Sequence, residues 1–259
     1  MSLGLTVTLT GTGTSQGVPV IGCNCDVCLS QNPKDQRLRT ACIISSDDVT
    51  IAVDAGPDFR QQMLRAKTKR LDAVLFTHPH KDHTAGLDDT RPFFFRQRIP
   101  IDIYASEAVE EQLRCEYAYA FVSEDKKYPG APGFNIIRLD EKAIEIENIQ
   151  IQPIPLMHGR MPVFGFRIGD FAYLTDVNHI PEHSWKLLEG VDTLVLDALR
   201  HKPHHSHFTL AEAIAVAQNI GASRTWFTHI SHLMGKHEDI NADLPEGMAL
   251  GHDGLVIQI

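Results

Sequence analysis

The segment Leu5-Thr6-Val7-Thr8-Leu9 alternates apolar and polar residues and runs into Gly11-Thr12-Gly13, the pattern of a half-buried strand entering a tight turn. Ala41 to Ile44 and Val49 to Gly56 predict two strands joined across Ser45 to Asp48. Phe59 to Lys67 spaces its apolar residues as a helix does, and Leu71 to Phe76 reads as a buried strand. Further strands are predicted at Ile101 to Tyr104, Ile144 to Ile146, Ile149 to Ile154, Phe164 to Ile168, Phe171 to Leu174, Thr193 to Leu196 and Leu255 to Ile259. Helices fit Glu107 to Tyr119, His183 to Leu188 and Thr209 to Ile220, the last with Thr209 as its N-cap. Strands precede and outnumber helices, which predicts an α/β protein built as a four-layer αββα sandwich with ligands on loops at one rim. Tyr128 to Gly133 is a short Pro/Gly-rich patch of ordinary loop length, so residues 1–259 read as one domain.

Composition narrows the class without changing the architecture. An apolar fraction of 43% and a charged fraction of 22% are those of an ordinary soluble chain, with no stretch suited to a bilayer. Met1 to Thr10 lack the basic start and apolar core of a leader, so a cytoplasmic address is expected. A formal charge of -9, with basic residues dispersed apart from Lys67, Lys69 and Arg70, argues against extended nucleic acid as a partner. The sharper signals are cysteines crowded at 23, 25 and 28 and histidines gathered at 78–83, 201–207 and 229–237, a distribution that points to metal or acid-base work.

Thr77-His78-Pro79-His80-Lys81-Asp82-His83 begins where a predicted strand ends. His78 and His80 can turn to one side while Asp82 and His83 face a second nearby point, so one loop can serve two metals. Imidazole and carboxylate together suit zinc, manganese or iron. The plainer alternative is a polar loop with surface histidines.

His78-Pro79-His80-Lys81-Asp82-His83 resembles the HxHxDH motif of the metallo-β-lactamase fold superfamily, whose αββα sandwich agrees with the strand order above. The resemblance implies that His78, His80 and His158 hold one metal, that Asp82, His83 and His229 hold the other, and that Asp176 bridges both. It also implies that Asp54 orients a ligand histidine. A carboxylate at position 176, where β-lactamases use cysteine at the second metal, turns the expected chemistry away from antibiotics. Two divalent ions set against Asp82, Asp176 and a hydroxide leave about one positive charge, which favours an anionic substrate such as a phosphodiester.

Cys23, Cys25 and Cys28 are three thiolates of a tetrahedral zinc set. His232, three residues past His229, is the preferred fourth ligand, with His237 the alternative. The surrounding GTGTSQGVPVIGCNCDVC resembles the N-terminus of the PhnP phosphodiesterases, which implies a structural zinc held by three cysteines and a histidine beside two catalytic metals.

His207-Phe208-Thr209 resembles the HxT segment of the phosphodiesterase branch, which implies that His207 protonates the leaving oxygen, with Asp197 orienting it and Asp82 completing the catalytic group. His201, His204 and His205 read as solvated. Arg91 is read as pairing with Asp88 or Asp89 in preference to a substrate phosphate, and Phe93, Phe94 and Phe95 as core or pocket wall. The expected activity is metal-dependent hydrolysis of a small cyclic phosphodiester such as 5-phosphoribosyl 1,2-cyclic phosphate by a hydroxide bridging two Mn2+ or Zn2+ ions. A small phosphorylated substrate, no membrane and a homodimer complete the expectation. The alternatives are a tRNA 3′-processing endonuclease, whose tRNA-gripping arm is not visible, and a zinc or redox sensor without turnover.

Overall fold

The alternation at the start of the chain becomes strand β1 (Thr6–Gly11), which buries Val7 and Leu9 completely. The computed structural model describes residues 4–259, so Met1, Ser2 and Leu3 of the expected opening segment lie outside the described residues. The first sheet continues with β2 (Ala41–Ser45), β3 (Thr50–Val53), β4 (Ala73–Leu75), β5 (Ile101–Ala105) and β6 (Phe134–Arg138). The second contains β7 (Ile144–Ile146), β8 (Ile149–His158), β9 (Met161–Ile168), β10 (Phe171–Leu174), β11 (Thr193–Asp197), β12 (Arg224–Thr228) and β13 (Met248–Leu250). The chain then returns as β14 (Leu255–Gln258) beside β1, giving spatial orders β14-β1-β2-β3-β4-β5-β6 and β13-β12-β11-β10-β9-β8-β7. Each sheet is antiparallel in one part and parallel in the other, the parallel parts being β3 to β6 and β10 to β13.

Three apolar cores make the four layers. Val7, Leu9, Ile44, Ile51, Ile151, Phe166, Tyr173 and Val195 interdigitate between the sheets. Outside the first sheet, α1 (Phe59–Arg65) and α4 (Glu107–Glu116) bury Phe59, Met63, Val109 and Leu113 against Ile43 and Val74, with α2 (Lys81–Thr84) and α3 (Arg91–Gln97) between them in the chain. Outside the second, α5 (Glu182–Leu188) and α6 (Leu210–Ile220) supply Leu188, Ala213 and Ala217, and α7 (His237–Asp243) adds Ile240. The α6 start carries the expected Thr209 cap as a reciprocal capping box with Glu212, and Gly221 closes the helix at φ 81°. Among the described residues no helix is long and apolar enough to cross a membrane.

The sandwich agrees with the expectation, while several elements were hidden from pattern reading. β8 runs on through Pro153 and Pro155 to His158 because β7 pairs only with Ile149–Ile151, leaving one edge of the later residues without a partner strand. An unpaired edge tolerates residues that lack an N–H. β6 has no strict alternation of burial, β13 has three residues, and α3 and α7 are two-turn helices, so none carried a readable period.

Candidate active site

Asp54, Asp176 and His229 each follow the end of a strand and each adopts left-handed backbone, with φ of 66°, 52° and 58°. A non-glycine residue held there costs of order 1 kcal/mol, and three at one rim mark a site whose geometry is imposed by the fold. These residues lie with His78 and His158 at one rim of the sandwich, outside the carboxyl ends of β3, β4, β8, β10 and β12, where open α/β sheets place ligands. Gly56 and Gly86 let the turn bearing Asp82 and His83 pack in close: a Cβ on Gly56 would lie 1.9 Å from the Asp82 carbonyl oxygen.

The tautomers follow from the partners. The Asp54 carboxylate accepts from the Thr77 N–H (2.9 Å), the Thr77 hydroxyl (2.9 Å) and His83 Nδ1 (2.6 Å). Because the Thr77 hydroxyl gives its proton to Asp54, it must accept from His78 Nδ1 at 2.9 Å. The Ser206 carbonyl fixes His158 in the same way, accepting from its Nδ1 at 2.7 Å. All three rings thus hold a proton on Nδ1 and turn the Nε2 lone pair away from these partners, the arrangement by which outer groups orient metal ligands.

The lone pairs converge on Asp176. Its carboxylate lies 3.3 Å from His83 Nε2, 3.3 Å from His229 Nε2 and 3.7 Å from His78 Nε2. Donor atoms of His78, His80, His158 and Asp176 fall within 4.8 Å of one another, as do those of Asp82, His83, Asp176 and His229, so Asp176 is common to both sets. The Nε2 atoms of His78, His83 and His229 are buried without a hydrogen bond. A buried polar atom left so costs about 1–3 kcal/mol, and three at one point fit a bound cation. Burial pushes His158 down to about 4 and His78 well below the usual histidine range, which leaves the neutral imidazoles that coordination requires. Burial also opposes a charge on His83, yet the carboxylates of Asp176, Asp54 and Asp82 push its pKa well above that range, so without a cation a second proton sits on Nε2 where a metal ion would displace it. That half of the site therefore draws in positive charge, and mixed imidazole and carboxylate donors fit zinc or manganese.

His207 sits beside both sets, its ring centroid 4.5 Å from those of His158 and His229. Its Nδ1 is 3.2 Å from both oxygens of Asp197, which also accepts the Phe208 N–H at 3.1 Å. Burial works against a charge on His207, but Asp197 more than offsets it and lifts the ring to about 9. A raised pKa means that folded His207 retains a proton the unfolded chain releases, so its contribution is complete below about 6.5 and is lost as pH rises through about 9. Chelator-treated protein is expected to lose urea resistance between pH 6.5 and 9, and Asp197→Asn to flatten that slope. An unchanged slope in the variant would show that the pair does not carry it.

The cysteine loop closes from the other side. Sγ atoms of Cys23, Cys25 and Cys28 lie 3.3, 3.4 and 3.5 Å from His232 Nδ1. The Cys28 N–H draws Cys25 down to about 6, while burial pushes Cys28 up to about 11. Three thiol sulfurs and one imidazole within 4.8 Å fit a tetrahedral zinc. His237 is elsewhere: buried, it receives Arg37 Nη2 on its Nδ1 (3.1 Å) and hydrogen-bonds Asn241 through its Nε2.

Arg91 pairs with Asp88, which also accepts from the Tyr119 hydroxyl, as the plainer reading expected. Phe93 is buried in the outer core and Phe94 packs on Phe95. His201 is exposed and meets the Met234 carbonyl, but His204 departs from the solvated expectation: it is half-buried, its ring tilted against those of His205 and His207 with centroids 4.3 and 5.1 Å away. A cavity of about 590 Å3, the size of a small-molecule site, opens over the donors and is lined by His80, His158, Gly159, Arg160, Met161, His205 and Ser206. Asn178, Arg160 and the Ser206 carbonyl escaped the sequence reading. The usable signal was Arg160, a cation two residues past a candidate ligand.

Comparison with known proteins agrees with this architecture. A solved structure of a diphosphatase from the PhnP family superposes with a TM-score of 0.93 at 41% identity, covering 100% of this chain and 98% of that one. An octanoyltransferase from Porphyromonas gingivalis is 37% identical over 250 residues, 95% of this chain, and this chain spans 50% of that protein's length. The short form of human tRNase Z shares the fold, with a TM-score of 0.69, 20% identity and coverage of 98% and 99%. The family model of the beta-lactamase superfamily domain matches residues 50–230, which hold the histidine loop and the ends of β8, β10 and β12, and on that match the chain belongs to the metallo-β-lactamase superfamily of hydrolase-fold proteins.

Proposed function

We propose that this chain hydrolyses a small phosphodiester, with 5-phosphoribosyl 1,2-cyclic phosphate as the specific candidate. The observation that carries the reading is the carboxylate of Asp176 shared by two donor sets beside the His207–Asp197 pair. Divalent ions held by His78, His80, His158 and Asp176, and by Asp82, His83, His229 and Asp176, would supply Lewis acidity and an acidified water. Asp54, Thr77 and the Ser206 carbonyl keep the ligand rings in the tautomer that leaves Nε2 free. Asp197 fixes Nδ1 of His207, and the ring's other nitrogen delivers a proton to the departing alkoxide. The Cys23, Cys25, Cys28 and His232 set is read as a structural zinc site that holds the N-terminal loop.

A second reading, cleavage of a diphosphate bond, is favoured by the 41% identity to a protein called a diphosphatase. Both reactions break a P–O bond in an anion. Acyl transfer, as in the name of the longer relative, finds no support in the donor sets around Asp176, which contain neither thiol nor amine. A net charge of -9 disfavours the tRNA endonuclease alternative.

The deciding assay uses manganese- or zinc-loaded protein on bis(p-nitrophenyl) phosphate, 5-phosphoribosyl 1,2-cyclic phosphate and a nucleoside diphosphate. Fastest turnover of the cyclic ester supports the proposal, preference for the diphosphate selects the second reading, and no turnover of any with metals bound sinks both. His207→Ala is expected to lower kcat on the cyclic ester by about 10²- to 10⁴-fold. It is expected to have little effect on bis(p-nitrophenyl) phosphate, because p-nitrophenolate departs without a proton. Equal losses on both would assign His207 to something other than leaving-group protonation.

A further inference from the structure

We infer that Arg160 reads a second anionic group on the substrate, a phosphate monoester carried beyond the scissile phosphoryl group; the inference rests on the phosphodiester reading of the same site. Arg160 is exposed at the tip of the β8–β9 hairpin, and among the described residues its side chain has neither an ion pair nor a hydrogen bond. Three other cations of the surrounding loops and helices are engaged: Lys81 with Glu116, Arg91 with Asp88, and Arg200 with the carbonyls of Lys202 and Pro203. The cavity that Arg160 shares with His80 and His158 has no carboxylate in its lining, so its guanidinium is the one permanent charge there. In a chain of net charge -9 this local positive lip draws an anion to a surface that otherwise repels it.

The hairpin tip is fixed before any ligand arrives. Gly159, at φ 65°, donates its N–H to Asn178 Oδ1 at 2.7 Å, and the Asn178 amide nitrogen donates to the His205 carbonyl at 3.1 Å. Met157 and Asn178 add two further backbone hydrogen bonds at 3.0 Å, from Met157 N to His179 O and from Asn178 N to Met157 O. Asn178 thus bolts the tip to the loop that bears His205, and the arginine backbone is set while its planar fork stays free to take two phosphate oxygens. Two residues span at most about 7 Å, so Arg160 starts within that distance of ligand candidate His158. His205 presents an exposed ring on the same cavity wall.

The test compares KM and kcat of metal-loaded wild type, Arg160→Ala and Arg160→Lys on 5-phosphoribosyl 1,2-cyclic phosphate and on bis(p-nitrophenyl) phosphate, which carries no second anion. Arg160→Ala is expected to raise KM about 10- to 100-fold on the phosphorylated substrate, the effect of one charged hydrogen-bonding group, and to stay within about twofold of wild type on the synthetic diester. Arg160→Lys is expected to recover part of the loss. Equal effects on both substrates, or none on either, with wild-type turnover intact, overturn the role of Arg160 alone. Absence of wild-type turnover on both, with metals bound, overturns the phosphodiester reading and this inference with it.

Discussion

Replacing Asp176 with alanine is expected to cut turnover by at least about 10³-fold and to lower the content of both catalytic-site cations together. Removing a single preorganised polar group from an active site costs about 10²- to 10³-fold, and this carboxylate belongs to two donor sets at once. It is buried, so no water-exposed side chain can swing in to replace it. Its removal leaves the Nε2 atoms of His83 and His229, each 3.3 Å from it, facing one another without the charge between them. Asp176→Asn keeps the shape and one carbonyl oxygen but not the charge, so it is expected to retain partial metal content with activity still strongly reduced. Metal analysis beside the activity assay separates the two effects. An alanine variant that kept both ions and full turnover would remove the shared-ligand assignment.

Cys25→Ser or His232→Ala is expected to lower the thermal midpoint of the metal-loaded protein by upwards of about 6 °C. A zinc at this set would clip the loop around residue 25 to a loop more than 200 residues later, where His232 stands. Cross-links closing long loops contribute about 3 kcal/mol or more, and for a chain of this size each kcal/mol moves the midpoint by about 2–4 °C. The control is chelation: after removal of zinc, wild type and variant are expected to melt together. A difference that survives chelation would assign the effect to packing of the cysteine loop instead.

The parts of the site that the sequence made legible are those whose chemistry is local. His78, His80, Asp82 and His83 share one short segment, and Cys23, Cys25 and Cys28 share another, so residue type and spacing alone reveal them. His158, Asp176 and His229 are single residues at the ends of separate strands, and only a family resemblance singled them out of many strand ends. The left-handed backbone at Asp54, Asp176 and His229 has no sequence signature, because the fold imposes it on residues that ordinarily avoid it. The Ser206 carbonyl and the Asn178 bolt arise when distant loops meet, and a backbone oxygen leaves no trace in the identity of its residue. The fold was legible where burial alternated, as in β1, or where an apolar run was buried throughout, as in β10 and β11; β13 was too short and β6 too irregular to show either.

All three candidate cation sites straddle the sandwich. His78, His80, Asp82 and His83 follow β4 of the first sheet, and Asp176 and His229 follow β10 and β12 of the second. The cysteines follow β1 and His232 follows β12. The sheets otherwise meet through a largely apolar interior, which parts once water enters it. Ions held in these positions would act as rivets across that seam, which could not open until their coordination bonds broke. Loading would then act most strongly on the rate of unfolding, and the supply of metal would set how long each molecule lasts as well as how fast it works.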